Sequence, residues 1–234
     1  MTSRPDRAML ERMGLQRMVA LAAGSAAIAL LAGCSAPGAA ERPRPTEASA
    51  DRPDAATDVT FAAVGDSITV ADSPDFMGGD LGDGSWATYV EGAGFGFAGG
   101  WAEWGATTGR MAEQVASYDA DVLVVLAGTN DVAFGIPFAE SARNLEQIVA
   151  TAGIDDVIVV SIPPIDALPE GAVAHNDRLD DLARDHGWRF VDASSGLRTE
   201  DGSFRAGMSS DGLHPSEAGA RVLGEAIAEE LSEE

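Results

Sequence analysis

The chain has 234 residues, one to two domains by the usual prior of about 100 to 200 residues each, and its 45% hydrophobic and 23% charged residues describe a globular composition. All 15 basic residues are arginine, set against 38 Asp and Glu for a formal net charge of −23. The absence of lysine excludes Schiff-base and P-loop lysine chemistry, and the acidity argues against nucleic acid, whose recognition needs a basic surface.

Arg4, Arg7, Arg12 and Arg17 precede an apolar stretch from Met18 to Ala32, the charged and hydrophobic regions of a secretory signal over residues 1–33. The stretch is shorter than the roughly 20 residues a spanning helix needs. It ends in Leu31-Ala32-Gly33-Cys34, which resembles the lipobox of bacterial lipoproteins. The resemblance implies that Cys34, the only cysteine, is lipidated and becomes the mature N-terminus. Residues 34–57, with Pro37, Pro43, Pro45 and Pro53, have little to bury and read as a disordered tether. The expectation is a monomer on the extracellular face of a bacterial membrane, touching the bilayer only through its lipid. Residues 58–234 form a single domain with eight Arg against 32 Asp and Glu, so the acidity lies in the folded part.

Within that domain short β-branched runs alternate with amphipathic stretches. Val59–Val64, Asp121–Leu126, Val157–Ile162 and Trp188–Val191 read as strands buried on both faces, and Gly94–Ala98 as a weaker one. Helices are predicted over Trp86–Glu91, Arg110–Tyr118, Pro137–Thr151, Ala174–His186 and Ser216–Leu231. The alternation predicts an α/β fold, a parallel sheet covered by helices on both faces. Ligands in such folds sit outside the carboxyl ends of the strands, so the residues just after each run matter most.

The first run ends in Gly65-Asp66-Ser67-Ile68, where a serine at a strand-to-helix turn can present its hydroxyl and its own N–H to a ligand, or simply cap the helix. After the run ending at Leu126 comes Gly128-Thr129-Asn130-Asp131, whose asparagine can offer a neutral donor to the same crevice or form a polar turn. Near the C-terminus stands Ser210-Asp211-Gly212-Leu213-His214-Pro215. An Asp three residues before a His can accept from the ring Nδ1–H and leave Nε2 free as a base. No Gly-x-Ser-x-Gly elbow occurs, which excludes an ordinary α/β-hydrolase nucleophile.

Together these blocks resemble the SGNH or GDSL hydrolases, over essentially residues 58–234. The resemblance implies a three-layer α/β/α, flavodoxin-like sheet of about five strands and a serine esterase without cofactor or metal. It implies Ser67 as nucleophile, His214 as base, Asp211 as its orienting carboxylate, and an oxyanion hole from the backbone N–H groups of Ser67 and a glycine with the Asn130 amide. The glycine block is the weak match. In Trp104-Gly105-Ala106-Thr107-Thr108-Gly109-Arg110, Gly109 is preferred because it precedes the predicted helix, and Gly105 is the second candidate. The expected substrate is a small neutral acyl ester of acetyl type, free or on carbohydrate. The competing readings are an O-acyltransferase using the same residues and an inactive glycan-binding lipoprotein.

Other features read more plainly. Asp72, Asp75, Asp80 and Asp83 lie in a glycine-rich loop without EF-hand spacing, better suited to a wall of the acyl pocket than to calcium. Trp101 and Trp104 can line the pocket, stack on a sugar or pack in the core, and His175 and His186 are expected to be structural.

Overall fold

The computed structural model describes residues 58–233. The signal, the Cys34 lipidation site and the tether expected over residues 1–57 lie outside the described residues. Five strands, β1 (Thr60–Gly65), β2 (Gly96–Ala102), β3 (Val122–Leu126), β4 (Asp156–Val160) and β5 (Arg189–Val191), form one all-parallel sheet in the order β2-β1-β3-β4-β5. The helices are α1 (Ser67–Val70), α2 (Trp86–Gly92), α3 (Thr108–Gln114), α4 (Thr129–Phe134), α5 (Phe138–Ala152), α6 (Pro169–His186) and α7 (Glu217–Leu231), with a 3-10 turn at Ala193–Leu197. This is the expected α/β fold, and among the described residues no helix is long and apolar enough to cross a membrane.

Strand side chains alternate between two cores. Ala62, Val64, Leu123, Val125, Val157 and Val159 face α3, α5 and α6, where they meet Met111, Leu145, Ile148 and Leu179. Phe61, Ala63, Val122, Val124, Ile158 and Val160 face the other way, toward Trp86 and Val90 of α2 and Leu223, Ile227 and Leu231 of α7. Burial on both faces is why these strands read as continuous apolar runs rather than alternating ones.

Register then sets the position of the site. Gly65 at the end of β1 pairs with Leu126 at the end of β3 and with Ala102 at the end of β2. Leu126 in turn pairs with Val160 of β4. The carboxyl ends are therefore level, and the turns that follow β1, β2 and β3 stand side by side. The chain runs outward from β1 to β2 and then crosses back to β3. This reversal opens the crevice between the ends of β1 and β3 where such sheets bind ligands.

Several boundaries move from the expected positions: β2 runs over Gly96–Ala102 rather than Gly94–Ala98, α3 ends at Gln114 rather than Tyr118, and two helices start earlier. Helix α3 begins at Thr108 rather than Arg110 because the Thr107 hydroxyl accepts from the Arg110 N–H and caps the helix two residues earlier. Helix α6 begins at Pro169 rather than Ala174, with proline in its first turn where a missing N–H costs nothing. His175 thus lies within α6 and is buried, not at its opening.

Candidate active site

The turn after β1 places Ser67 at the start of α1. Gly65 is required by crowding, since a Cβ there would lie 2.0 Å from the Thr69 hydroxyl and 3.0 Å from the Leu126 carbonyl. Asp66 is the helix cap, its Oδ1 accepting from the Ile68 N–H at 3.0 Å. The Ser67 side chain then points to His214, with Oγ 2.9 Å from Nε2. On the other side of the ring, Nδ1 lies 2.7 Å from Asp211 Oδ2. Ser67, His214 and Asp211 are thus joined in one hydrogen-bonded chain across 147 residues of sequence.

The Asp211 carboxylate is held far below the usual carboxylate range. Partial burial pulls its pKa upward, but the His214 ring and the backbone N–H groups of His214 and Leu213 donate to it and outweigh that pull. An ionised Asp211 accepts, so Nδ1 carries the ring proton and Nε2 is left to accept from the Ser67 hydroxyl. The loop around it is braced by Ser209, whose hydroxyl donates to the His214 carbonyl at 2.6 Å and accepts from the Gly212 N–H at 3.0 Å.

The turn after β3 brings in the Asn130 block. Gly128 has φ +122, and an added Cβ would lie 2.2 Å from His175 Nε2. Only glycine meets both conditions. Asn130 follows in the first turn of α4, its Nδ2 donating to the Ala106 carbonyl at 2.9 Å and standing 3.3 Å from Asp66 Oδ2. Asp131 is fully buried and accepts from the Thr108 N–H, the Thr108 hydroxyl and the Ser141 hydroxyl, which ties α4 to α3 and α5.

The two candidate glycines separate. Gly109 lies inside α3, where a Cβ would meet Asn144 Nδ2 of α5 at 3.5 Å. Gly105 has φ +75, follows the cavity-lining Trp104 directly and precedes Ala106, the residue whose carbonyl holds Asn130. The tryptophans separate as well. Trp101 is 8% exposed within the core, whereas Trp104 is 61% exposed with its ring 5.2 Å from that of His214.

Ser67, His214 and Trp104 open into a cavity of about 330 Å³. Ile68, Ala71 and Pro215 give it an apolar side, and Asp72, Asp83 and Glu217 an acidic one. Of the four loop aspartates, Asp72 is fixed by accepting from the Gly84 N–H at 2.8 Å, and Asp75 accepts from the Gly78 N–H at 3.0 Å. Among the described residues no three His, Cys, Asp or Glu side chains are grouped as a metal site would need.

Two titratable groups, Asp66 and His175, lie deep in the packing. Asp66 is fully buried, and desolvation, opposed by the Ile68 N–H and by His214 and reinforced by Asp131, pushes its pKa up to about 7. His175 is held at about 4, chiefly by desolvation, and its Nε2 has no hydrogen-bond partner. Neither shift leaves a trace in residue type or spacing.

Comparison with known proteins agrees with this geometry. Residues 63–222 match the profile of the GDSL-like lipase/acylhydrolase family, which covers all four blocks. No curated protein matches the chain in sequence. Among solved structures, a G-D-S-L family protein from Desulfitobacterium hafniense DCB-2 is similar at TM-score 0.60 and 16% identity, covering 73% of this chain and 98% of its own. LAE5, an alpha/beta hydrolase enzyme from the metagenome of Lake Arreo, is similar at TM-score 0.60 and 19% identity, with 74% and 94% covered. A catalytic mutant of Axe2, an acetylxylan esterase from Geobacillus stearothermophilus, is similar at TM-score 0.59 and 19% identity, with 77% and 97% covered. The chain belongs to the GDSL-like lipase/acylhydrolase family of carboxylic ester hydrolases.

Proposed function

We propose that this protein hydrolyses small, uncharged acyl esters of acetyl type, carbohydrate acetates among them, through an acyl-Ser67 intermediate. The observation that carries the reading is the unbroken chain from Ser67 through His214 to Asp211 on a cavity of about 330 Å³. Ser67 Oγ attacks the ester carbonyl while His214 Nε2 takes its proton; the tetrahedral intermediate collapses as His214 returns that proton to the leaving alcohol. Water activated by the same Nε2 then cleaves the acyl-serine. Asp211 stays ionised throughout and stabilises the imidazolium.

The oxyanion donors in this reading are the Ser67 N–H, the Asn130 amide and the N–H of Gly105. Gly105 is preferred to Gly109 because its loop adjoins both Trp104 and the Asn130 contact, whereas Gly109 lies inside α3.

Substrate size and charge follow from the walls. A cavity at the small end of the roughly 300 to 1,000 Å³ seen for ligand sites suits a short acyl chain. Asp72, Asp83 and Glu217 disfavour an anionic ester. Exposed Trp104 offers a flat apolar face beside the base, the surface a sugar ring stacks on, and the Geobacillus neighbour is an acetylxylan esterase. An acyltransferase would use the same residues with a sugar hydroxyl in place of water. Lipidation of Cys34 and a tether over residues 34–57 would hold the enzyme on the outer face of the membrane.

A chromogenic ester series of increasing acyl length, run beside acetylated xylan with and without sugar acceptors, tests the proposal. Acetyl and propionyl esters are expected to turn over fastest and Ser67→Ala to be inert. Undiminished hydrolysis by purified Ser67→Ala would overturn the assignment. Transfer of acetyl between sugars without net hydrolysis would select the transferase.

A further inference from the structure

Asn130 has two amide N–H bonds, and both already have acceptors. One goes to the Ala106 carbonyl at 2.9 Å and the other faces Asp66 Oδ2 at 3.3 Å. To serve an oxyanion, Asn130 must release one of them. The contact to Ala106 has ordinary length, whereas the contact to Asp66 lies just beyond the usual 2.7 to 3.2 Å range, so the second is the one that yields. Asp66 is fully buried, and its other oxygen is fixed as the cap of α1, so the carboxyl cannot follow Asn130 when the amide moves.

We propose that Asp66 is a positioning residue, which holds the second amide N–H of Asn130 behind Ser67 and releases it to the oxyanion as the tetrahedral intermediate forms. The inference rests on the ester-hydrolase reading for the reaction, but the Asp66–Asn130 coupling itself can be measured without turnover. The titratable groups facing Asp66 are His214, from the loop before α7, and Asp131, from α4. Burial brings its ionisation into the working range, at about 7, and an ionised carboxylate grips an N–H donor more strongly than a neutral carboxyl does. The hold on Asn130 therefore loosens as Asp66 takes up a proton.

Asp66→Asn tests the idea because it keeps the shape but has one acceptor oxygen and one NH2 in place of two acceptor oxygens, so the Ile68 cap and the Asn130 contact, which use different oxygens, cannot both survive. The expected result is a fall in kcat of at least tenfold with KM within about twofold. Combined with Asn130→Ala, the same change should add almost nothing to the loss from Asn130→Ala alone. Independent losses that multiply would overturn the proposal.

A second measurement needs no activity. In a His214→Ala background, which removes the nearby imidazole and with it a group that lowers the Asp66 pKa, the Asn130 side-chain amide resonances should shift with pH with a midpoint above 7, and should be flat once Asp66→Asn is added. A silent amide would overturn the coupling. If Asp66→Asn does not fold, the Asp66 carboxyl ¹³C resonance in Asn130→Ala decides: loss of the donor should raise its midpoint, and an unchanged midpoint overturns the proposal. A coupled amide in a protein that cleaves no ester would sink the esterase reading and leave the coupling standing.

Discussion

The two turns that carry Ser67 and His214 are built in opposite ways. Asp66 and Ser67 are 0% and 7% exposed, sealed between the end of β1 and the Asn130 turn, and their geometry is a by-product of how the sheet packs. The Ser209–Pro215 loop is an open strap in which Asp211 is exposed and half-buried His214 is held by hydrogen bonds from within the loop, those of Ser209 and Asp211. Ser67 is thus positioned by the packing of the sheet and His214 mainly by bonds within its own loop, which is tied to the rest of the domain where the Gly212 carbonyl accepts from the Asp166 N–H at 2.9 Å and where Leu213 packs on the core. Substitutions in the first turn should cost stability as well as rate, and those in the second should cost rate alone.

Removing His214 gives the largest separation. His214→Ala should lower kcat by about 10⁴-fold or more while leaving the urea midpoint almost unchanged, and Asp211→Asn should approach the same loss by presenting the wrong tautomer. A large drop in midpoint for either would show that the strap is not held mainly from within.

Gly128→Ala reverses that pattern. The added Cβ would meet His175 Nε2 at 2.2 Å in a backbone with φ +122, so denaturant melts should show a loss of about 3 kcal/mol or more. Gly65→Ala, crowded by Thr69 and Leu126, should behave alike.

The buried groups sharpen the comparison through pH. Asp66 rises from 3.8 to about 7 on folding, so the folded state holds the extra proton, and stability present below about pH 4 is lost as pH rises to 7. His175 falls from 6.5 to about 4, so its contribution is present above 6.5 and lost as pH drops to 4. Between pH 4 and 6.5 the two slopes oppose, each at most about 1.4 kcal/mol per pH unit. Asp66→Asn should therefore make stability rise more steeply with pH in that window, and His175→Gln should make it rise less or fall. Denaturant midpoints across pH measure both, and parallel curves for wild type and variants would refute the pairing.

The smallest effect belongs to the brace. Ser209→Ala removes the donor to the His214 carbonyl and the acceptor for Gly212, and should lower kcat about tenfold with little change in melting temperature. Equal damage to both would make the strap part of the core.

The same division explains what could be read from the chain. β1, β3 and β4 stand out because burial on both faces leaves nearly unbroken apolar runs. β2 is obscured by glycines, one of which, Gly100, is needed because a Cβ would lie 2.0 Å from the Ala63 carbonyl. α1 and α4, four and six residues long, are too short to show a helical period. The Asp211 to His214 spacing is local chemistry and so legible. Whether Trp101 or Trp104 meets the cavity, which glycine adjoins Asn130 and how deeply Asp66 is buried depend on contacts across the sheet that no local pattern encodes.

The crossing from β2 back to β3 has one more consequence. Asp66 and Asn130 lie 64 residues apart in sequence and meet only because β1 and β3 are adjacent in the sheet. The pairing with the greatest loop-closure cost in this half of the chain is therefore the one that assembles the reaction centre. Recovery of turnover during refolding should lag behind helix formation, since it needs both this closure and the 147-residue span that brings His214 to Ser67.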